Sequence, residues 1–264
     1  MKTRTGLLAL LWSLLVCHPA GAQTTTTTYQ LGLGSTDILD TYLSQEKFSG
    51  AGLTLLTTSE RWYSERWNSM LQNQVNLSMG DDRAGNESVL EGSYDLYLGR
   101  YYRSLLANTG ITLQLGGMAH AGIGFIYDTR NSNNPAQARV GLQIMPSAIA
   151  TKHFQLFHRK TTFRYELDLP LLGLAFSPNY GQSYYEIFNR GNYDHNIVPT
   201  TFISAPNMRQ QLSIDWQAGR SWDLRVGYLG NYQQAEVNHL KQHIYNHRLM
   251  IGVVKRFRTV YYKR

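Results

Sequence analysis

Few residues in this chain have the types needed for chemistry, and their spacing limits what that chemistry is. His239, His243 and His247 recur every fourth residue in HLKQHIYNH. On a helix this stripe would offer adjacent pairs to zinc. On a strand, neighbours in the series stand about 13 Å apart, too far to share one ion. The segment lies between two strand candidates with no carboxylate partner nearby, so ordinary loop and interface histidines are expected. Asp81 and Asp82, with Asn86 and Glu87, offer oxygens to calcium. Their spacing misses the EF-hand pattern, and GDDRAGNES reads as a solvated turn. Acyl transfer needs a nucleophile, a base within its reach and a third residue orienting the base. Met118-Ala119-His120-Ala121-Gly122 has no serine two residues after its histidine, and Tyr193-Asp194-His195-Asn196 has the composition of a loop. No catalytic residue, metal-ligand set or cofactor is therefore expected.

What remains is a row of charge. In Thr161 to Ser177 (TTFRYELDLPLLGLAFS), Phe163, Tyr165, Leu167, Leu169 and Leu171 alternate with Arg164, Glu166, Asp168 and Pro170. Period two belongs to a β-strand with one apolar and one polar face. The same register assigns Asp95, Arg164, Glu166, Asp168, Asp215, Arg225 and Arg248 to the polar face. A row of this kind stands in open water or lines the interior of a barrel whose outside touches lipid.

The rest of the chain repeats the pattern. Tyr29, Leu31 and Leu33 alternate with Gln30, Gly32 and Gly34 behind a threonine run, and Phe48 to Thr58 is a second candidate strand. Leu71, Val75, Leu77 and Met79 oppose Gln72, Gln74, Asn76 and Ser78; Tyr94, Leu96 and Leu98 oppose Ser93, Asp95 and Tyr97. Further candidates lie at Ile111–Tyr127, from Val140, at Gln182–Asn189, at Leu212–Gln217, from Leu224 and up to Phe257. A weaker one at Ile197–Ser204 brings the number to about twelve, even as single-chain bacterial barrels require, with ten as the alternative. It also makes Ala218–Ser221 a periplasmic turn and Gln233–Gln242 a longer external loop. Tyr101, Tyr102, Tyr127, Tyr184, Tyr185 and Phe257 gather at strand ends, the pattern of aromatic girdles at two membrane interfaces. A soluble β-sandwich would also alternate, but with its apolar faces turned inward.

The first residues indicate export. Lys2 and Arg4 precede the apolar Gly6–Val16, and Ala20-Gly21-Ala22 is a cleavage site, so residues 1–22 read as a signal peptide and 23–264 as the mature domain. The apolar run is too short for a helical span. Val16 before Cys17 departs from a lipoprotein signal, and without Cys17 the mature chain has no cysteine. A net charge of +7 over 264 residues, with no dense Lys/Arg run, excludes a nucleic-acid partner and suits anionic lipid. Mean hydropathy of −0.35 fits a barrel whose polar lumen residues dilute its apolar ones.

Leu169 to Asn196 (LPLLGLAFSPNYGQSYYEIFNRGNYDHN), and less specifically Trp222 to Lys255, resemble an uncharacterised family of Bacteroidota outer-membrane proteins, DUF3316. The resemblance implies an outer-membrane barrel and no activity. Within it Pro178–Ser183 is a turn by composition, and Tyr180, Tyr184, Tyr185 and Phe188 are candidates to anchor the rim or meet a partner. The expectation is an all-β transmembrane antiparallel barrel in the bacterial outer membrane. Its expected role is that of a non-enzymatic structural or accessory component, with lumen charges pairing as a plug. The expected partners are outer-membrane lipids and, as candidates, other outer-membrane or periplasmic proteins. A narrow channel for small solutes or ions, and a lipid-modifying enzyme, are the alternatives.

Overall fold

A computed structural model describes residues 24–131 and 135–258. The leader expected at 1–22 lies outside the described residues. The strands are β1 (Thr24–Asp40), β2 (Phe48–Trp62), β3 (Trp67–Asp81), β4 (Ser88–Leu106), β5 (Ile111–Asp128), β6 (Ala136–Leu156), β7 (Arg159–Asp168), β8 (Leu172–Phe176), β9 (Ile197–Thr201), β10 (Met208–Gln217), β11 (Trp222–Val237) and β12 (Leu240–Arg258). A short helix, α1 (Tyr184–Phe188), lies between β8 and β9. All twelve strands belong to one sheet, and ten of them, β1–β7 and β10–β12, close into an antiparallel barrel. The first and last strands seal the wall, from Thr24 opposite Arg258 to Asp40 opposite Gln242. Closure pairs each ring strand with two neighbours, whereas an open sheet in lipid would leave its edge groups unpaired.

The long stretch Thr161–Ser177 is not one strand, contrary to the period-two reading. Asp168 faces Ser147 of β6, but Leu172 faces Ile144, so one extra residue sits on the β7–β8 side. Pro170 supplies no N–H at this point, and the amides of Leu169 and Leu171 reach the carbonyls of Pro146 and Ile144. The resulting bulge shifts the alternation by one, as an inserted residue must. β8 therefore continues β7 along β6, and β9 pairs outside it from Leu172–Thr201 to Phe176–Ile197.

Two further readings are corrected. Gln182–Asn189 holds α1 rather than a strand, because Ser183 and Glu186 form a capping box that starts a helix. Gln233–Gln242 is not a long loop: Asn238 and His239, at φ of 52° and 61°, make a tight hairpin turn between β11 and β12. Phe157 and His158 turn β6 into β7 in the same way, at the opposite end.

The two faces of the wall are inverted relative to a soluble protein. Outward residues include Leu249 (76% exposed), Ile144 (68%), Leu33 (61%) and Ile123 (60%), whereas Arg248 and Asp168 are fully buried. Buried polar groups beside a continuous exposed apolar belt are the informative exception to the usual distribution. Inside, side chains fill the bore: Met70, Tyr97, Tyr101, Met118, Met145 and Ile149 form one apolar cluster, and Ile38, Phe48, Val89, Ile126 and Ile244 another. Tyr101 thus belongs to the interior and not to a girdle. It shares the inward parity of Asp95 and Tyr97, and its hydroxyl meets Ser147 Oγ at 2.8 Å.

Candidate functional site

The charged row on β7 meets the opposite wall. Arg164 Nη1 lies 3.3 Å from Glu60 on β2, and Arg164 Nη2 lies 3.2 Å from Glu166. Arg209 of β10 pairs with Glu166 at 3.2 Å and Asp168 at 2.8 Å, and its Nε donates to Gln74 Oε1 of β3 at 3.3 Å. Gln72 donates to Glu166 at 2.8 Å, and Ser147 donates to Asp168 at 2.5 Å. In the ring, β2 stands opposite β7 and β3 opposite β10. These bonds therefore cross the full bore as a bar of two arginines and three carboxylates. Arg209 also lies over the ring of Tyr97, 4.7 Å from its centroid. Pairing is what makes such charges tolerable inside, since one left alone there is costly.

The remaining lumen charges form separate groups. His120 Nε2 is 2.8 Å from Asp95 and its Nδ1 is 3.2 Å from Gln143, while Tyr97 stacks on its ring at 4.5 Å. Both imidazole nitrogens are thus engaged by side chains that are not nucleophiles, which leaves no Ser–His arrangement at this histidine. Asp95, His120, Arg139 and Gln143 line a cavity of about 90 Å³ on the loop-end side of the bar. Arg248 donates to Thr54, Ser78 and Asn246, and Asp215 takes both arms of Arg225 at 2.5 and 2.7 Å.

Sequence reasoning missed Glu60, Gln72 and Arg209. Glu60 lies beyond the end assigned to the second strand at Thr58, and Arg209 precedes the start assigned at Leu212. Extending each strand at period two would have found both, because Thr58 and Glu60, and Arg209, Gln211, Ser213 and Asp215, share one parity. Gln72 was placed on the right face without a role.

The four candidate rim aromatics do not act as one group. Tyr184 donates to Gln137 Oε1 at 2.6 Å, accepts from the Ala138 amide, and packs edge-on against Tyr42. Burial raises its phenol pKa above the ordinary range. Tyr180, Tyr185 and Phe188 are exposed at 70%, 58% and 60%. Segment 177–196 is fastened across the loop end: Tyr42 donates to the Gln182 carbonyl, and Asn238 donates to the carbonyls of Ser177 and His195. The amide and hydroxyl of Ser183 hold the Glu186 carboxyl below its ordinary pKa of 4.5.

No cluster of metal-ligating residues occurs among the described residues. His243 stacks on Tyr245 at 4.4 Å, and His247 Nδ1 lies 2.6 Å from the Tyr228 hydroxyl, both on the outer face of the barrel. Asp82 accepts from the amides of Asn86 and Glu87, so its carboxylate closes a turn and sits at a lowered pKa.

Residues 10–264 match the model of a family described as protein of unknown function (DUF3316). The chain belongs to this family. No curated protein matches it. Among solved structures, the chain is similar to the translocator domain of autotransporter NalP from Neisseria meningitidis, at 13% identity over 97% of this chain and 95% of that one, with a TM-score of 0.38. It is similar to the transport unit of the autotransporter AIDA-I from Escherichia coli at 6% identity over 98% of each chain, TM-score 0.40. An outer membrane channel from Pseudomonas putida F1 matches at 10% identity over 91% of this chain and 97% of that one, TM-score 0.34.

Proposed function

We propose that this DUF3316 chain is an integral outer-membrane barrel with a closed lumen, acting as a non-enzymatic structural or accessory component of that membrane. The observation carrying this reading is the bar itself. Arg164–Glu60 and Arg209–Gln74 join diametrically opposed strands. A pathway for solute would have to break them, and a buried pair that loses one partner costs about 3–5 kcal/mol. The apolar belt supports the membrane, and the short β6–β7 and β10–β11 turns support a periplasmic side at the end holding both described termini. The engaged His120 supports a role without acyl-transfer chemistry.

Planar-bilayer recording of the refolded mature chain tests the reading. The expected result is a silent bilayer containing protein that still shifts on a gel when heated. Stepwise conductance that changes in Glu166→Gln would overturn it in favour of a narrow channel lined by the bar.

A further inference from the structure

Among the described residues, the ladder of the wall stops short between β10 and β11. β11 pairs with β10 only as far as Tyr232 opposite Met208, and β9, which would continue β10, is bonded to β8 alone. Beyond Tyr232 the gap is spanned by the loop after β9. Ser204 accepts from the Glu236 amide at 2.9 Å, the Asn207 side chain accepts from the Gln234 amide at 2.6 Å, and the Pro206 carbonyl accepts from Gln234 Nε2 at 2.9 Å. Only the first is a backbone–backbone bond, so side chains close this seam where backbone ladders close the rest of the ring.

Cavities lie on both sides of the seam. Outside is a groove of about 320 Å³ lined by Leu169, Phe202, Pro206, Met208, Tyr232 and Tyr245, together with Asn207 and Gln234. Inside is the cavity that Asp95, His120, Arg139 and Gln143 line, which also touches Asn207 and Gln234. Asn207 and Gln234 thus line both spaces. We infer that the β9–β11 seam is a lateral binding site for a membrane amphiphile, with the acyl chain in the outer groove and the polar head directed between Asn207 and Gln234 towards the His120 cavity.

The occupant follows from what surrounds each half. The groove continues the exposed apolar belt of Leu212 and Ile214 on β10 and Val226 on β11, so in a membrane an acyl chain is what lies against it. Tyr232 and Tyr245 stand where that belt gives way to His243, Gln234 and Glu236, the level at which a lipid changes from chain to head. The inner cavity offers donors and acceptors to the head. This inference rests on the membrane reading proposed above.

The test uses the full mature chain in detergent micelles, with native mass spectrometry after adding dimyristoyl phosphatidylethanolamine. Two variants bear on it: Met208→Trp, which fills the groove, and Asn207→Cys with Gln234→Cys, oxidised to fasten the seam. Each is first checked for the heat-dependent gel shift. The expected result is one retained lipid, with occupancy lowered about tenfold by Met208→Trp and, where the cysteines join, lowered by oxidation and restored by reductant. Lipid retained equally in Met208→Trp overturns the site, as does no retention by the parent chain. A chain that inserts into vesicles yet fails here loses only the lateral site. A chain that stays soluble and monomeric without detergent loses the membrane reading as well.

Discussion

Arg209 holds Glu166 and Asp168 together, stacks on Tyr97 and reaches Gln74 on the facing wall. Replacing it with methionine keeps most of the volume but leaves Glu166 paired with Arg164 alone and takes from Asp168 its ion-pair partner. Arg209→Met is expected to destabilise the barrel by about 3–5 kcal/mol in urea unfolding from lipid vesicles. Lys241→Gln removes an ion pair of similar chemistry, 3.7 Å from Glu236, with both side chains about two-thirds exposed. That change should cost under about 1 kcal/mol, because water screens the pair. Similar effects in the two variants would show that the bar bears no special load. The inward charges were legible because period two sorts residues by face without reference to their partners. Which charge meets which was not legible: Arg164 and Glu60 lie 104 residues apart, and only closure of the ring brings them together.

At the scale of elements, α1 sets the fastening of the segment across the loop end. Ser183 caps the Glu186 amide, and Glu186 bonds back to the Ser183 amide at 2.8 Å. Ser183→Ala should cost about 1 kcal/mol of local stability, read as faster amide exchange at 185–190 with the barrel strands unchanged. The pH dependence has a definite sign. Because the folded-state pKa of Glu186 is depressed, its contribution is complete above the ordinary value of 4.5 and fades as pH falls through the lowered one. Exchange protection of α1 should therefore weaken on acidification in the parent chain, and Glu186→Gln should remove that dependence. A helix was illegible here because five residues give no helical period; the only signal was S-x-x-E at 183–186, preceding no apolar run. The bulge at Leu169–Leu171 was missed although Pro170 marked it. Apolar residues on both sides of the proline let the alternation read straight through the slip.

For the whole molecule, the decisive property is which side of the wall faces lipid, and one outer position tests it. Ile251 lies between Leu31 on β1 and Val226 on β11, and the three are 55%, 42% and 53% exposed. Along β12 it stands midway between Tyr245 and Phe257, hence near the centre of the apolar belt. In a water-soluble barrel, arginine on this exposed surface would change stability by no more than about 0.5 kcal/mol. At the middle of a bilayer it should cost about 2–4 kcal/mol, falling towards zero at the interfaces. Ile251→Arg is therefore expected to lower stability in phosphatidylcholine vesicles by that larger amount, while Lys255, one turn of the alternation from Phe257, should tolerate exchange for arginine. Equal, negligible costs at both positions would mean that the belt faces water or another protein instead of acyl chains. A large cost at 251 alone would fix the depth of the wall, and with it place the Tyr232–Tyr245 groove at the loop-side interface where an amphiphile's head and chain divide.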